Sequence, residues 1–220
     1  KEVIDDVKER MAELKETMFL EGMDYEVSYD ISRFMDASIH EVIKTFIEAL
    51  LLVTLVVFVF LQNWRATLIT ALAVPVSIVG TFFFMQFFGF SLNLITLFAL
   101  VVVIGIVVDN AIVVVEAVHA KMEESKISAK LATQAAMKEI SGAIIAITLV
   151  MSAVFVPVAF MSGPSGIFFR QFSLTMAIAI VLSGIVALTL SPALCALLLK
   201  HPGTEKKTFL TRFFSGFNNW

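Results

Sequence analysis

The chain has 220 residues, of which 59% are hydrophobic and 16% are charged, and its mean hydropathy is +0.91. Soluble domains usually contain about 45–50% apolar and about 25% charged residues, so this composition indicates a membrane protein. The net charge of −3 and the lack of a basic stripe argue against a nucleic-acid partner. The single cysteine, Cys195, excludes an internal disulfide and a cysteine-based zinc site.

The first 37 residues are more polar than the rest and predict a short α/β segment. Apolar residues recur there at helical spacings of three and four: Val3, Val7, Met11, Leu14 and Met18. Apolar and polar residues then alternate as in a half-buried strand: Tyr25, Val27, Tyr29 and Ile31 are its apolar positions. One helix and one strand cannot close a core, so we expect this segment to be the edge of a larger domain.

The first membrane helix is predicted over 42–61. Ser38 and Glu41 have the spacing of a capping box and indicate where that helix starts. Only its last 13 residues are uninterrupted apolar sequence, fewer than the approximately 20 that a span needs. We therefore expect Lys44 and Glu48 to lie in the membrane interface or to pair with each other.

Four more apolar segments predict membrane helices over 67–88, 92–115, 143–161 and 172–199. A polar stretch at 119–141 separates the second and third of these four helices, and its 128–140 part predicts a surface helix. The fold class predicted is an all-α polytopic membrane protein with five transmembrane helices and a short α/β segment at the N-terminus. The transmembrane bundle would occupy 38–200, followed by a tail at 201–220.

The distribution of lysine and arginine near the ends of the spans predicts the orientation. Nine lie on one side: Arg65, Lys121, Lys126, Lys130, Lys138, Lys200, Lys206, Lys207 and Arg212. Three lie on the other: Arg33, Lys44 and Arg170. Because basic residues are enriched in cytoplasmic loops, the C-terminus is predicted to be cytoplasmic and the N-terminal segment to lie outside the cytoplasm.

Asp109 is the acidic residue that lies deepest in an apolar run. A carboxylate at that depth costs about 2.5 kcal/mol or more, and such groups usually face a bundle interior and carry function. Gly105, four residues earlier on the same face, would let a neighbouring helix approach closely. Glu116, seven residues later, falls on nearly the same face about 10 Å nearer the cytoplasm. We interpret it either as an auxiliary site for proton translocation or as an interfacial residue. We interpret Asp109 as a proton carrier; the alternative is a structural carboxylate paired with a basic residue from sequence outside this chain.

Other residues give no sign of catalysis or metal binding. The three histidines, His40, His119 and His201, are too far apart in sequence for metal-ligand spacing. The chain has no glycine-lysine phosphate loop and no visible nucleophile–base pair, so an enzyme is not predicted.

Six strings in order resemble the resistance–nodulation–division (RND) superfamily, and most closely its hydrophobe/amphiphile multidrug efflux branch. They are SIHEVIKTFIEALLLVTLVVFVFLQNWRATLI (38–69), FGFSLNLITL (88–97), GIVVDNAIVVVEAV (105–118), AVFVPVAFMSG (153–163), RQFS (170–173) and SPALCALLL (191–199). The resemblance implies a piece of a longer subunit, holding the family's second to sixth membrane helices after the end of a periplasmic pore-domain lobe (1–37). It also implies that the tail begins an amphipathic helix on the cytoplasmic surface.

What the resemblance implies for function is proton-driven efflux across the Gram-negative envelope, with protons as the coupling ion and no other cofactor. The subunit would be an inner-membrane homotrimer that works with a periplasmic adaptor and an outer-membrane channel on small amphiphilic substrates. The family usually has two adjacent proton-binding aspartates, matched here by Asp109 and Asn110. Asn110 is a departure, because asparagine does not titrate but forms hydrogen bonds.

The departure leaves two accounts open: Asp109 alone titrates while Asn110 orients it, or the chain is a variant with altered or lost coupling. An RND exporter of metal ions or lipids is an alternative, as is a membrane scaffold that transports nothing. The family's substrate-binding residues lie mostly in periplasmic parts outside this sequence, so no substrate site is assigned.

Overall fold

The computed structural model describes residues 2–20, 22–28, 30–90 and 93–199. The helices in the described residues are α1 Glu2–Met18, α2 Ile31–Leu61, α3 Trp64–Phe87, α4 Leu94–Ser125, α5 Ala129–Ala159 and α6 Pro164–Leu198. All but α1 contain a segment long and apolar enough to cross a membrane. The five predicted membrane helices are thus confirmed. The predicted surface helix in the tail lies outside the described residues.

The N-terminal segment contains the predicted helix but not the predicted strand. α1 covers the apolar face identified from the sequence, whereas residues 23–27 have no regular structure and Ile31 is the first residue of α2. Tyr29 lies outside the described residues. The alternation predicted a strand, but a strand needs a partner for its backbone hydrogen bonds, and the described part of this chain offers none.

α2 begins at Ile31, about three turns before the predicted start at 42. Asp30 caps it: the Ser32 amide donates to Asp30 Oδ1 at 2.9 Å. Lys8 Nζ lies 2.6 Å from Asp30 Oδ2, which joins α1 to this cap. The Lys8 ammonium, with the Ser32 hydroxyl, lowers the pKa of Asp30 below its usual range. Ser38, the predicted cap, therefore lies inside the helix.

The capping-box prediction at Ser38 was wrong because an acceptable cap exists earlier and nothing between the two breaks a helix. No glycine or proline occurs from residue 31 to residue 61. Lys44 pairs with Glu41 rather than with Glu48, at 3.5 Å between Nζ and Oε1. The predicted pair of Lys44 with Glu48 is therefore not formed, and the observed pair with Glu41 is exposed.

Asparagines cap the next two helices. Asn63 Oδ1 accepts from the backbone amides of Arg65 and Ala66, at the start of α3. Asn93 and Thr96 form a reciprocal capping box at the start of α4. These side chains satisfy amides that the first turn of a helix leaves unpaired.

α4 and α5 extend well beyond their apolar stretches. α4 continues to Ser125, and the next residue, Lys126, is its C-cap and has a left-handed φ of 50°. α5 starts at Ala129, so the predicted surface helix at 128–140 and the predicted span at 143–161 are one continuous helix. Backbone hydrogen bonding does not stop where the side chains become polar. From residue 129 to residue 142 the sequence contains no proline and a single glycine, Gly142.

α4 and α6 form the centre of the arrangement: they pack against each other and both pack against α3 and α5, while α2 packs against α3 and α4. The core between them is aliphatic and includes Val74, Leu100, Val103, Ile104 and Ile180. Small residues bring helices together, as is typical of membrane interfaces. Gly184 of α6 lies directly against Thr148 of α5.

Candidate functional site

α4 is buried on most of its circumference but has one exposed face. We call this face the open stripe, and it consists of Phe98, Val102, Gly105, Asp109, Val113 and Glu116. The spacings of three and four keep these residues on one side of the helix. The rest of α4 contacts α2, α3, α5 and α6. The acid identified from the sequence therefore lies on the side of α4 that no described helix covers.

Asp109 lies at the middle of the open stripe, and within the described residues its carboxylate has no hydrogen bond or ion pair. Gly105 lies one turn before it, and a Cβ built there would have no atom within 4 Å outside its own helix. The shared face of Asp109 and Gly105 is as the sequence predicts. The neighbouring helix expected against Gly105 is not among the described helices.

Asn110 points away from Asp109, into the contact between α4 and α6. It is 6% exposed, and its Nδ2 donates to Ser183 Oγ at 3.1 Å. Ser183 Oγ in turn donates to the backbone carbonyl of Val107 at 3.1 Å. Adjacent residues on a helix differ by about 100° in direction, which places these two polar side chains on different faces. The hydrogen bond of Asn110 thus goes to α6 rather than to the Asp109 carboxylate.

Glu116 is exposed on the open stripe, nearer the polar end of α4. That end is held to α5 by Lys121, whose Nζ lies 2.8 Å from Glu139 Oε1. His119 lies 3.8 Å from Glu123 one turn further along α4. Glu116 therefore stands between the isolated Asp109 and a cluster of paired charges.

The basic residues of α3, α4 and α6 lie toward the ends of these helices. Arg65 Nη1 donates to the Leu198 carbonyl at 2.8 Å, at the end of α6. Lys121 bonds to Glu139, and Arg170 lies in the second turn of α6. In the described part of the chain, no basic residue reaches the middle of α4, in agreement with the sequence. Nor do the described residues include a group of three or more histidine, cysteine or acidic side chains that could bind a metal ion.

Sequence reasoning missed Ser183. A serine in an apolar helix has no local feature that separates a hydrogen-bonding role from simple small-residue packing. α6 also buries Ser173 and Ser191, so the sequence offers three similar candidates. Only the rotational register of α6 against α4 selects Ser183 as the partner of Asn110.

The family model of the AcrB/AcrD/AcrF family matches residues 1–220. The chain is 49% identical over 212 residues to the multidrug export protein AcrF of Escherichia coli, covering 96% of this chain and 20% of AcrF. It is 45% identical over 218 residues to the toluene efflux pump membrane transporter TtgE of Pseudomonas putida, covering 98% of this chain and 21% of TtgE.

The multidrug resistance protein MdtF of Escherichia coli is 47% identical over 188 residues, which cover 84% of this chain and 18% of MdtF. The chain thus spans about a fifth of the length of the curated relatives it matches. These relatives are transporters rather than enzymes, as the sequence predicts. The chain belongs to the AcrB/AcrD/AcrF family of RND multidrug efflux transporters.

Proposed function

We propose that this chain is part of a proton/drug antiporter subunit in which Asp109 binds and releases the coupling proton. The observation that carries the proposal is the position of Asp109: a carboxylate in mid-span, on the open stripe of an otherwise packed helix, without a partner in the described residues. Ionisable residues inside a membrane mark ion pathways and usually pair across helices.

The partner of the Asp109 carboxylate would be a basic group on a helix outside this chain. Protonation removes the negative charge, and the attraction that holds the two helices in one packing is then lost. A membrane potential supplies about 2.3 kcal/mol per charge per 100 mV, which is enough to bias a helix packing with two states. Repeated proton uptake and release would drive the motion that exports a substrate.

The substrates would be drugs or other amphiphilic compounds. The functions for which the relatives are named, multidrug export and toluene efflux, support hydrophobic or amphiphilic cargo. The assembly would be a homotrimer in the inner membrane, joined by a periplasmic adaptor and an outer-membrane channel. The N-terminal segment would be periplasmic and the C-terminus cytoplasmic, as the excess of basic residues at one end of the spans indicates.

The test is drug accumulation in cells that express the full-length protein with Asp109→Asn. Asparagine has nearly the same size and cannot titrate, so accumulation should rise to the level of cells without the transporter. Glu116→Gln is a matched control, because it makes the same change on the same stripe of α4. Normal expression with unchanged efflux in Asp109→Asn would remove Asp109 from the mechanism.

A scaffold that only holds helices together would give a different result in a second assay. In proteoliposomes that contain the full-length protein, substrate addition should release protons across the membrane for an antiporter. No proton flux with a transported drug would reject proton coupling.

A further inference from the structure

Asn110, Ser183 and Val107 form a short chain of hydrogen bonds that links α4 to α6. The Asn110 amide donates to Ser183 Oγ, and the Ser183 hydroxyl donates to the Val107 carbonyl, both at 3.1 Å. Val107 and Asn110 are three residues apart on α4, so a single hydroxyl of α6 bonds to both the backbone and a side chain of one turn of α4. Ser183 is 2% exposed, which keeps water from competing for these bonds.

The direction of the two bonds is fixed by the number of protons available. A serine hydroxyl has one proton to donate and two lone pairs that accept. Ser183 uses its proton on the Val107 carbonyl, so its partner at position 110 must be a donor. The amide of Asn110 is a donor in every protonation state that the protein can reach.

An aspartate at position 110 would behave differently. Ionised, it only accepts hydrogen bonds, and the one proton of Ser183 could not serve both the carboxylate and the Val107 carbonyl. Protonated, its hydroxyl could donate to Ser183 as the amide does. The same site would therefore join α4 to α6 by two bonds at low pH and by a single bond, beside a buried negative charge, at high pH. Because the cost of burying that charge favours the entry of water, the contact would loosen.

We infer that Asn110 and Ser183 form a link between α4 and α6 that does not depend on protonation, and that Ser183 is a positioning residue for the face of α4 that carries Asp109. The role given to this link in transport rests on the proposed function. With this link in place, α4 and α6 move as one unit when Asp109 changes charge. Protonation of Asp109 then changes the packing of the open stripe against the helix from outside this chain, and it leaves the packing between α4 and α6 unchanged.

The charged groups around the link do not disturb this assignment. The ionisable residues of α6 are Arg170 near its start and Cys195 near its end, and that of α3 is Arg65 in its first turn. The last charged residue of α2 is Glu48, 13 residues before the end of that helix, and the last of α5 is Glu139, ten residues after its start. In the described residues, no hydrogen bond or ion pair joins either of them to Asn110 or Ser183. On α4 itself, Asp109 is the nearest titratable group, and it faces the open stripe.

The experiment measures the distance between α4 and α6 in the full-length protein, in a background without other reactive cysteines. Spin labels are placed through Glu123→Cys and Leu197→Cys, since both positions are exposed. Pulsed electron paramagnetic resonance then gives a distance distribution at pH 5 and at pH 8. The protein with Asn110 and Ser183 intact should give one narrow distribution that is the same at both pH values.

Four variants then separate the possibilities. Ser183→Ala should broaden the distribution at both pH values, whereas Ser191→Ala should not, because Ser191 is equally buried on α6 but has no hydrogen-bond partner in the described residues. Asn110→Asp should give a narrow distribution at pH 5 and a broad one at pH 8. Ser183→Thr retains the hydroxyl and should stay narrow. If Ser183→Ala fails to fold, a fifth variant, Asn110→Ala, removes the other partner of the link and should broaden the distribution at both pH values.

Two results would overturn the inference: a Ser183→Ala distribution as narrow as that of Ser191→Ala, or an Asn110→Asp distribution that stays narrow at a pH where infrared spectroscopy shows the new carboxyl to be ionised. These distances are measured without transport. Normal efflux by Asp109→Asn together with the expected distances would reject the proposed function and leave the link in place. Loss of efflux by Asp109→Asn, together with distances other than those expected, would support the proposed function and reject the link.

Discussion

The contact between Gly184 of α6 and Thr148 of α5 gives a prediction whose size follows from the structure. A Cβ at position 184 would lie 2.5 Å from Thr148 Oγ1, 2.8 Å from Thr148 Cγ2 and 3.1 Å from Thr148 Cβ. Both branches of the threonine face the glycine. Rotating Thr148 to another staggered rotamer moves only one of the two branches away, so the helices themselves must shift.

Gly184→Ala should therefore destabilise the full-length protein. Overpacking a close contact costs about 1–3 kcal/mol, and the better helix propensity of alanine returns up to about 1 kcal/mol. Because the helices themselves must shift, the cost falls in the upper part of that range, about 2–3 kcal/mol, and we expect a net loss of about 1–2 kcal/mol, seen as a lower midpoint of thermal unfolding in detergent. Gly142→Ala on α5 is the control, because no atom outside its own helix lies within 4 Å of a Cβ there. That control should be neutral or stabilising.

Thr148→Ala in the same protein should rescue most of the loss. It removes both clashing atoms, and Thr148 Oγ1 has no hydrogen-bond partner in the described residues, so little is lost with it. The reasoning would be refuted if Gly184→Ala unfolded at the same temperature as the unaltered protein, or if the double variant were no more stable than Gly184→Ala alone.

Two further predictions concern polar contacts at the ends of the helices. Arg65→Ala should destabilise the protein by about 1.5–3 kcal/mol in thermal unfolding, because the charged hydrogen bond to the Leu198 carbonyl is lost; stability equal to the unaltered protein would contradict this. Asp30→Ala, which removes both the cap of α2 and the partner of Lys8, should speed hydrogen exchange, corrected for intrinsic rates, at the start of α2. Because Lys8 lowers the pKa of Asp30 in the folded protein, the stabilisation that the Asp30 carboxylate gives to the start of α2 is complete above the pKa of an unfolded aspartate, about 4. This stabilisation should be lost only as the pH falls below about 4. An exchange rate that does not depend on pH in that range would contradict the prediction.

The number and type of the membrane helices could be predicted because each span is a long apolar run, and such runs have few alternatives in a bilayer. Their bounds could not. Hydropathy marks where side chains leave the apolar layer, whereas a helix ends where its backbone bonds find other partners. Asp30 and Lys126 set such ends, and neither is marked by a change in hydropathy.

The candidate site likewise has features that the sequence could predict and features that only the structure could show. Asp109 could be identified from the sequence, because an acid in an apolar run is unusual wherever the helix points. The direction in which it points required the structure, as did the assignment of Asn110 to a bond with Ser183. The predicted strand failed for a related reason: alternation describes one strand, while a strand forms only beside another.

The central claim is that Asp109 changes protonation state, and isotope-edited infrared spectroscopy of the full-length protein tests it most directly. Aspartate is labelled at its side-chain carboxyl, and the band of protonated Asp109 is assigned by its absence in Asp109→Asn. This band should appear as the pH falls and disappear as the pH rises. Substrate addition should change the midpoint of that titration. A band that stays constant, or stays absent, at every pH and with every substrate would contradict the account.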